Sequence, residues 1–405
     1  MAKNPDLLAR LTEARAETDR LFTHLDPSAL YLRPIDERHR MAFYLGHLEA
    51  FDWNQMKQTG MLAASPNPEF DNLFAFGIDP EPGQLPHDQP SDWPKQEQIH
   101  SYNQGVRSTI DRHLQEAPEE NLRMMIEHRH MHAETFAYIL HNLEPAKKKG
   151  PTEHLSVAAP VTQTFVTIPS GFSTLGKNSG EGFGWDNEFN KLSVPVADFE
   201  MSKYKISNGE FLEYMKLTGA AAPHYWFEQQ GEWFYRGMFQ NVPLPLSWPV
   251  YCTWNQASQY ARFHKLQLPT EAQYHRAAFG SPVDGEERHF PWSSEAADLT
   301  KQGNFGYSAW NPIAVNASPD TESAFGVAQL VGNGWEWTST VFAPFEGFAP
   351  SPTYPGYSAN FFDNAHYVLK GASPRTSATL VRRSLRNWFR PEYPYVYATF
   401  HLVRN

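Results

Sequence analysis

Two kinds of hydrophobic patterning divide this chain. From Asp6 to about Leu143 the apolar residues recur three and four positions apart with polar residues between them, which is the period of amphipathic helices. That pattern predicts four helices, over residues 6 to 24, 37 to 58, 95 to 116 and 119 to 143. The stretch between the second and third, SPNPEFDNLFAFGIDPEPGQLPHDQPSDWP, is rich in Pro, Gly and Asp and predicts a long crossover loop. Four helices with one long crossover predict an all-α bundle over 1–145.

Past Leu143 the period is lost. EPAKKKGPTEH reads as a linker over 146–160, with a Pro, a lysine run and a Gly-Pro pair. From 161 to 405 the apolar segments are short, as in QTFVTIP and HYVLKG, and Gly, Pro, Asn, Asp and aromatic residues are frequent. Two helices are predicted there, NGEFLEYMKLTG and NQASQYARFHKLQ, and Tyr393, Tyr395 and Tyr397 alternate as in a strand. The fold class is therefore two-domain: an α-helical bundle, then an irregular α+β domain.

Composition narrows the function. A net charge of -11 without any concentration of Lys and Arg speaks against a nucleic-acid groove. No apolar run approaches the roughly 20 residues of a membrane-spanning helix, and the first residues read as an amphipathic helix without a signal-peptide core, so a cytoplasmic protein with a small-molecule partner is expected. A single cysteine, Cys252, forbids an internal disulfide and is expected as a small buried core residue. Chemistry that needs a protein cysteine pair, such as oxidation of cysteines in other proteins, is disfavoured for the same reason.

The chemistry concentrates in MIEHRHMHAETFAYILHNL, residues 125 to 143. Positions i and i+4 of a helix share a face, whereas i and i+2 lie about 200° apart. Leu122, Met125, His128, His132, Phe136, Ile139 and Leu143 form one apolar stripe, which turns His128 and His132 into the bundle. His130, Glu134, Ala137 and His141 fall on the other side, which is expected to be solvated. Two imidazoles bind a divalent ion weakly, and the best third ligand is His47 in RHRMAFYLGHLEAFDW, among Phe43, Tyr44 and Phe51 and beside Gly46. His39, at the start of that helix, is expected to be structural. Three neutral imidazoles leave roughly half an octahedral shell open for exogenous ligands.

LGHLEAFDW followed by EHRHMHAE resembles the DinB-like bundle of the sulfoxide synthases of ergothioneine biosynthesis. FGWDNE at 183–188, ISNGEF at 206–211, LPTEAQYHRAA at 268–278, AFGVAQLVGNGWEWTST at 324–340 and LRNWFRPEYPYVYATFHLV at 385–403 resemble the formylglycine-generating-enzyme-like domain, of C-type-lectin-like fold, that completes those enzymes. The resemblance implies an oxidoreductase that uses Fe(II), with O2 as cosubstrate, to join a thiol to the imidazole of hercynine with oxidation of the sulfur. It implies iron ligation by His47, His128 and His132, and a substrate pocket built by the second domain. Asn387 and Trp388 match residues near hercynine, an amide for its carboxylate and an aromatic face for its quaternary ammonium; Arg386 and Phe389 flank them.

Relatives that use γ-glutamylcysteine carry an aspartate directly after that tryptophan and an arginine four residues on, where this chain has Phe389 and Tyr393. L-Cysteine is therefore the expected donor, with γ-glutamylcysteine as the alternative. Arg375, Arg382, Arg383, Arg386 and Arg390 could supply a carboxylate clamp. The family also uses a tyrosine near the iron, for which Tyr44 and Tyr102 both qualify. Rival readings are a DinB-type thiol transferase or hydrolase on zinc or nickel without redox chemistry, and a lectin-like scaffold that only binds.

Overall fold

The computed structural model describes residues 5–62, 64–76, 85–151, 159–283, 286–295, 299 and 302–405. It divides into two compact units, Met1–Thr152 and Glu153–Asn405.

The first unit is built from α1 (Pro5–Thr23), α2 (Met41–Gln58), α3 (Pro68–Phe76), α4 (Gln96–Asp111) and α5 (Glu119–His141). The four expected helices are present. α2 starts at Met41 rather than 37 because Arg40 is extended, at φ -62° and ψ 157°. α3 corrects the expected loop: NPEFDNLF carries its own start signal, with Asn67 Oδ1 accepting from Phe70 N at 3.1 Å, Pro at the first helical position and acidic residues in the first turn. Residues 77–84 of that crossover lie outside the described residues. The crossover's far end is pinned by Asp88, which is 4% exposed, pairs with Arg33 and Arg40, and accepts the Trp93 indole N–H at 2.6 Å.

A second correction concerns α5. His130, Glu134 and His141 are 7%, 7% and 1% exposed and Ala137 is fully buried, so the side expected to be solvated is covered. α1 packs on α5: its Arg10 lies near His130, and its Phe22 ring is 4.2 Å from Phe136 of the expected stripe. α5 is the central helix, and a single apolar stripe underestimates what it buries. The start of the expected linker is likewise fastened to the bundle. Asp26 N and Lys149 N bond Lys147 O and His24 O at 2.9 and 2.7 Å. The buried Lys148 ammonium donates to the Leu140 and His141 carbonyls at the end of α5, satisfying acceptors that the helix leaves open. Residues 152–158 of that linker lie outside the described residues.

The second unit holds β1 (Phe165–Ile168), β2 (Gly171–Leu175), β3 (Leu192–Val196), β4 (Phe199–Ser202), α6 (Asn208–Thr218), β5 (Trp226–Gln229), β6 (Glu232–Arg236), β7 (Asn241–Pro243), α7 (Trp254–Phe263), α8 (Glu271–Phe279), β8 (Gly334–Val341), β9 (Tyr367–Ala372), β10 (Asn387–Phe389), β11 (Ala398–Thr399) and β12 (Val403–Arg404). The strands form small sheets, ordered β1-β4-β12, β10-β9-β8-β11, β5-β6-β7 and β2-β3. α6 and α7 are the two expected helices, each opened by a capping box, Ser207 with Glu210 and Thr253 with Gln256. α8 was not expected, although Thr270 and Gln273 give it the same signature. One apolar core joins Ile168, Phe199, Met201, Tyr274, Ala277, Phe279, Val327 and Leu330. Cys252 is 3% exposed, as expected, and its carbonyl accepts the Trp337 indole N–H at 2.9 Å.

The alternating tyrosines do not make the strand that their spacing predicts. Only Ala398 and Thr399 join a sheet, while Tyr393 stacks on Phe389 at 5.0 Å, Tyr395 meets Tyr393 edge-on at 5.1 Å, and Tyr397 is 2% exposed. Aromatic packing sets that segment, not a backbone ladder.

Candidate metal centre

α2 and α5 bring three imidazoles together. The ring centroids of His47 and His128 are 5.1 Å apart, of His47 and His132 4.6 Å, and of His128 and His132 4.4 Å. Their nearest ligand nitrogens all lie within 4.8 Å of one another, and Nε2 of His47 is 3.2 Å from Nε2 of His132. Two nitrogens on neighbouring positions of a tetrahedral or octahedral shell with bonds of about 2.1 Å would be about 3.0 to 3.4 Å apart, so this pair already has the spacing of two ligands of one ion.

Packing holds the rings. Phe51 lies flat on His128 with centroids 3.4 Å apart and an interplanar angle of 6°, and Phe43 stacks on His47 at 4.6 Å. Nδ1 of His47 is 2.6 Å from the Phe74 carbonyl oxygen, an atom that only accepts, so the proton is on Nδ1 and Nε2 keeps its lone pair toward His132. Burial, together with the neighbouring positive charge that a second protonated ring would bring, holds His128 and His132 well below the usual histidine range. Burial likewise pushes His47 down to about 4, against the pull of the Phe74 carbonyl. All three are therefore neutral near pH 7, the form that binds a metal. Nδ1 of His132 is buried with no hydrogen-bond partner. A site of three neutral ring nitrogens within 4.8 Å of one another fits a divalent ion of the imidazole-preferring kind.

Behind the trio the same helices carry charge. Arg129, 0% exposed, donates to Asp52 at 2.6 and 2.9 Å and to Glu49 at 2.7 Å. Arg107 of α4 reaches Glu49 at 2.6 Å and Asp19 of α1 at 2.7 Å, and Arg15 of α1 reaches Asp111 at 2.6 Å and Asp52 at 3.8 Å. Three guanidinium groups and four carboxylates thus tie four helices together. The arginines beside Glu49 hold its carboxyl down to about 2 against the effect of burial. Sequence reasoning missed this network, although Glu49, Asp52 and Arg129 stand one to five positions from the histidines of the trio.

The other expected site residues are dispersed. Tyr44 is 4% exposed with its ring 6.2 Å from that of His132, and it shares a small cleft with Leu21, Phe22, Leu48, His132 and Phe136. Burial raises its hydroxyl well above the usual tyrosine range, so it stays protonated. Tyr102 donates its hydroxyl to Asp71 at 2.8 Å and rests on Phe70 and Phe74, which engages it with α3 rather than with the trio. His39 packs on Phe43 at 4.2 Å, in the structural role expected.

In the second unit Asn387 and Trp388 sit half-buried on β10, paired with Leu369 and Val368 of β9. The Trp388 indole stacks on Phe342 at 4.3 Å and meets Tyr357 edge-on at 5.4 Å, while Asn387 Oδ1 accepts from Trp388 N at 2.9 Å. Arg386 is 3% exposed, pairs with Glu271 at 3.1 Å and lies over Phe345 at 4.4 Å. The other arginines of the expected clamp are engaged as well. Arg375 is buried over Trp310 at 3.9 Å, Arg382 pairs with Glu188 at 2.5 Å, Arg383 with Glu287 at 3.1 Å and Arg390 with Asp363 at 3.1 Å.

Residues 152–405 match the sulfatase-modifying factor enzyme 1-like domain. The chain is 30% identical to a hercynine oxygenase of Mycolicibacterium smegmatis over 308 residues, covering 70% of this chain and 71% of that one. It is 28% identical to ergothioneine biosynthesis protein 1 of Schizosaccharomyces pombe over 430 residues, covering 94% of this chain and 54% of the relative, so it spans about half the length of that protein. A formylglycine-generating enzyme of Streptomyces coelicolor is 26% identical over 52% of this chain and 79% of its own. Among the described residues no helix is long and apolar enough to cross a membrane. With the second unit matched throughout, and the hercynine oxygenase likeness too long to be confined to it, the chain belongs to the sulfatase-modifying factor enzyme 1-like family, in the group that includes the hercynine oxygenases.

Proposed function

We propose that this protein is an Fe(II)-dependent, O2-using sulfoxide synthase that joins the sulfur of L-cysteine to the imidazole of hercynine. The reaction balances as hercynine plus cysteine plus O2 giving hercynylcysteine S-oxide plus water. The imidazole C–H and the thiol S–H give up their hydrogens to water, a C–S bond and an S–O bond form, and the four electrons released reduce O2. The observation that carries the reading is the neutral trio His47, His128 and His132, two of them buried and one partly so, set in a chain whose relatives include hercynine oxygenases. The metal would supply O2 activation and a position for the thiolate. The chain's own residues exclude water, keep three lone pairs on one point, and hold a protonated phenol nearby at Tyr44, to which we assign proton delivery.

On this reading the hercynine residues are Asn387 and Trp388, with Trp388 already part of an aromatic surface with Phe342 and Tyr357 that suits a quaternary ammonium. Phe389 and Tyr393 stack on one another at 5.0 Å, which offers nothing to the extra charged end of γ-glutamylcysteine and supports free cysteine as donor. The test is oxygen uptake by the Fe(II)-loaded protein with hercynine and cysteine, followed by mass analysis of the product. Uptake coupled to the sulfoxide supports the reading. A metal-dependent thiol transfer without O2 consumption would replace it by the non-redox alternative.

A further inference from the structure

We propose that α3 is a positioning device for the metal site: through Gly46, the Phe74 carbonyl and a Tyr102–Asp71 clamp it fixes His47 in the one tautomer that can bind an ion toward His128 and His132. The inference rests on the reading of the trio as a metal site and on nothing about the reaction.

A ligand imidazole is useful only if its free lone pair points at the ion, and that depends on what its other nitrogen bonds. For His47 the other nitrogen meets the Phe74 carbonyl at 2.6 Å, which forces the proton onto Nδ1. The carbonyl can come this close because the residue before the ligand is glycine. A Cβ built on Gly46 would lie 2.5 to 2.6 Å from three ring atoms of Phe74, an overlap that no side chain tolerates. Glycine is a poor helix former, and in the middle of α2 its use is explained by this approach rather than by an unusual backbone angle.

α3 is held from its other side. The Tyr102 hydroxyl donates to Asp71 Oδ1 at 2.8 Å, with both residues buried, and the Tyr102 ring lies 5.6 Å from Phe70 and 5.8 Å from Phe74, nearly parallel to the latter. The Asp71 charge and burial both hold the phenol protonated, so this donor persists at any physiological pH. Asp71, Phe74 and Phe70 share one short helix, so the clamp and the carbonyl move as a unit. Tyr102 is thereby a positioning residue that acts through α3.

The experiment uses the full chain labelled with 15N at histidine, with Zn(II) alone as a diamagnetic probe. In the wild type the His47 nitrogens are expected to show a protonated Nδ1 and an unprotonated Nε2. Gly46→Ala displaces Phe74, so the His47 signals should move to a mixture of tautomers and Zn(II) affinity should fall by about 10- to 100-fold. Gly46→Ala combined with Phe74→Ala removes the overlap while keeping the carbonyl, and should recover most of that loss. Tyr102→Phe keeps the ring and loses the clamp, and should weaken Zn(II) by a smaller factor with the same tautomer shift. The inference is overturned if Gly46→Ala keeps both the tautomer and the affinity, if affinity falls with the Nδ1–H tautomer intact, or if the double variant recovers nothing. A wild-type chain that binds no Zn(II) would sink the trio reading and this inference with it.

Discussion

The two sides of the α2–α5 contact are made from the same helices and hold opposite chemistry. On one side Arg129 finds Glu49 and Asp52 at hydrogen-bond distance, and each charge is met by another. On the other, three neutral imidazoles, two buried and His132 partly so, bring one ring nitrogen each within 4.8 Å of the others. In the first cluster opposite charges meet one another directly, whereas the second brings together like, neutral donors. Burial alone therefore does not mark a functional site; burial of groups that face one another with lone pairs does.

The sharpest way to break this comparison is to remove the centre of the charged cluster. Arg129→Met leaves Glu49 and Asp52 without their nearest buried cation and should cost about 3 to 5 kcal/mol of stability, read from denaturant midpoints. Should the variant prove as stable as wild type, the network is not what ties the helices together.

Acid acts next. The folded values of His47 and His130, both pushed down to about 4, lie below the ordinary 6.5. The unfolded chain thus takes up protons first as pH falls. The stability of the metal-free protein should be full above about 6.5 and decline as pH drops toward 4, with His128 and His132 contributing in the same direction. A flat stability profile across that window would contradict neutral burial of the rings.

His130→Ala separates the faces of α5 more finely. The ring is packed toward α1, near Arg10, so its loss should cost about 1 kcal/mol while metal binding stays at the wild-type level. The smallest effect concerns the donor. Phe389→Asp with Tyr393→Arg exchanges an aromatic stack for an ion pair, and competition between the two thiols should shift toward γ-glutamylcysteine; an unchanged ratio would remove that pair from donor choice.

How far the sequence was legible follows from what each element depends on. The gathering of His47, His128 and His132 could be read because helical phase at steps of three and four is a local property, and His128 and His132 obey it. The other face of α5 could not, since whether His130 is wet depends on α1 packing there, which a single helix pattern does not contain. α3 was obscured by the Pro and Gly around it, although its cap and first-turn acids are ordinary, and with it went the Phe74 carbonyl, a backbone group that no side-chain motif announces. Tyr102 was visible only as a candidate for the tyrosine near the metal, and its partner, Asp71, lies 31 positions away on that unexpected helix. In the second unit the capping boxes of α6 and α7 were plain, while strands of two to eight residues held by aromatic packing left little periodicity to find.

The central claim is that His47, His128 and His132 hold one ion. Equilibrium binding of Fe(II) under anaerobic conditions, with metal counted per chain, tests it in the wild type and four variants: His47→Ala, His128→Ala, His132→Ala and His130→Ala. The expected result is one ion per chain in His130→Ala and in the wild type, and none at comparable concentration in the other three. Retention of the ion by any of those three, or its loss from His130→Ala alone, would contradict the account.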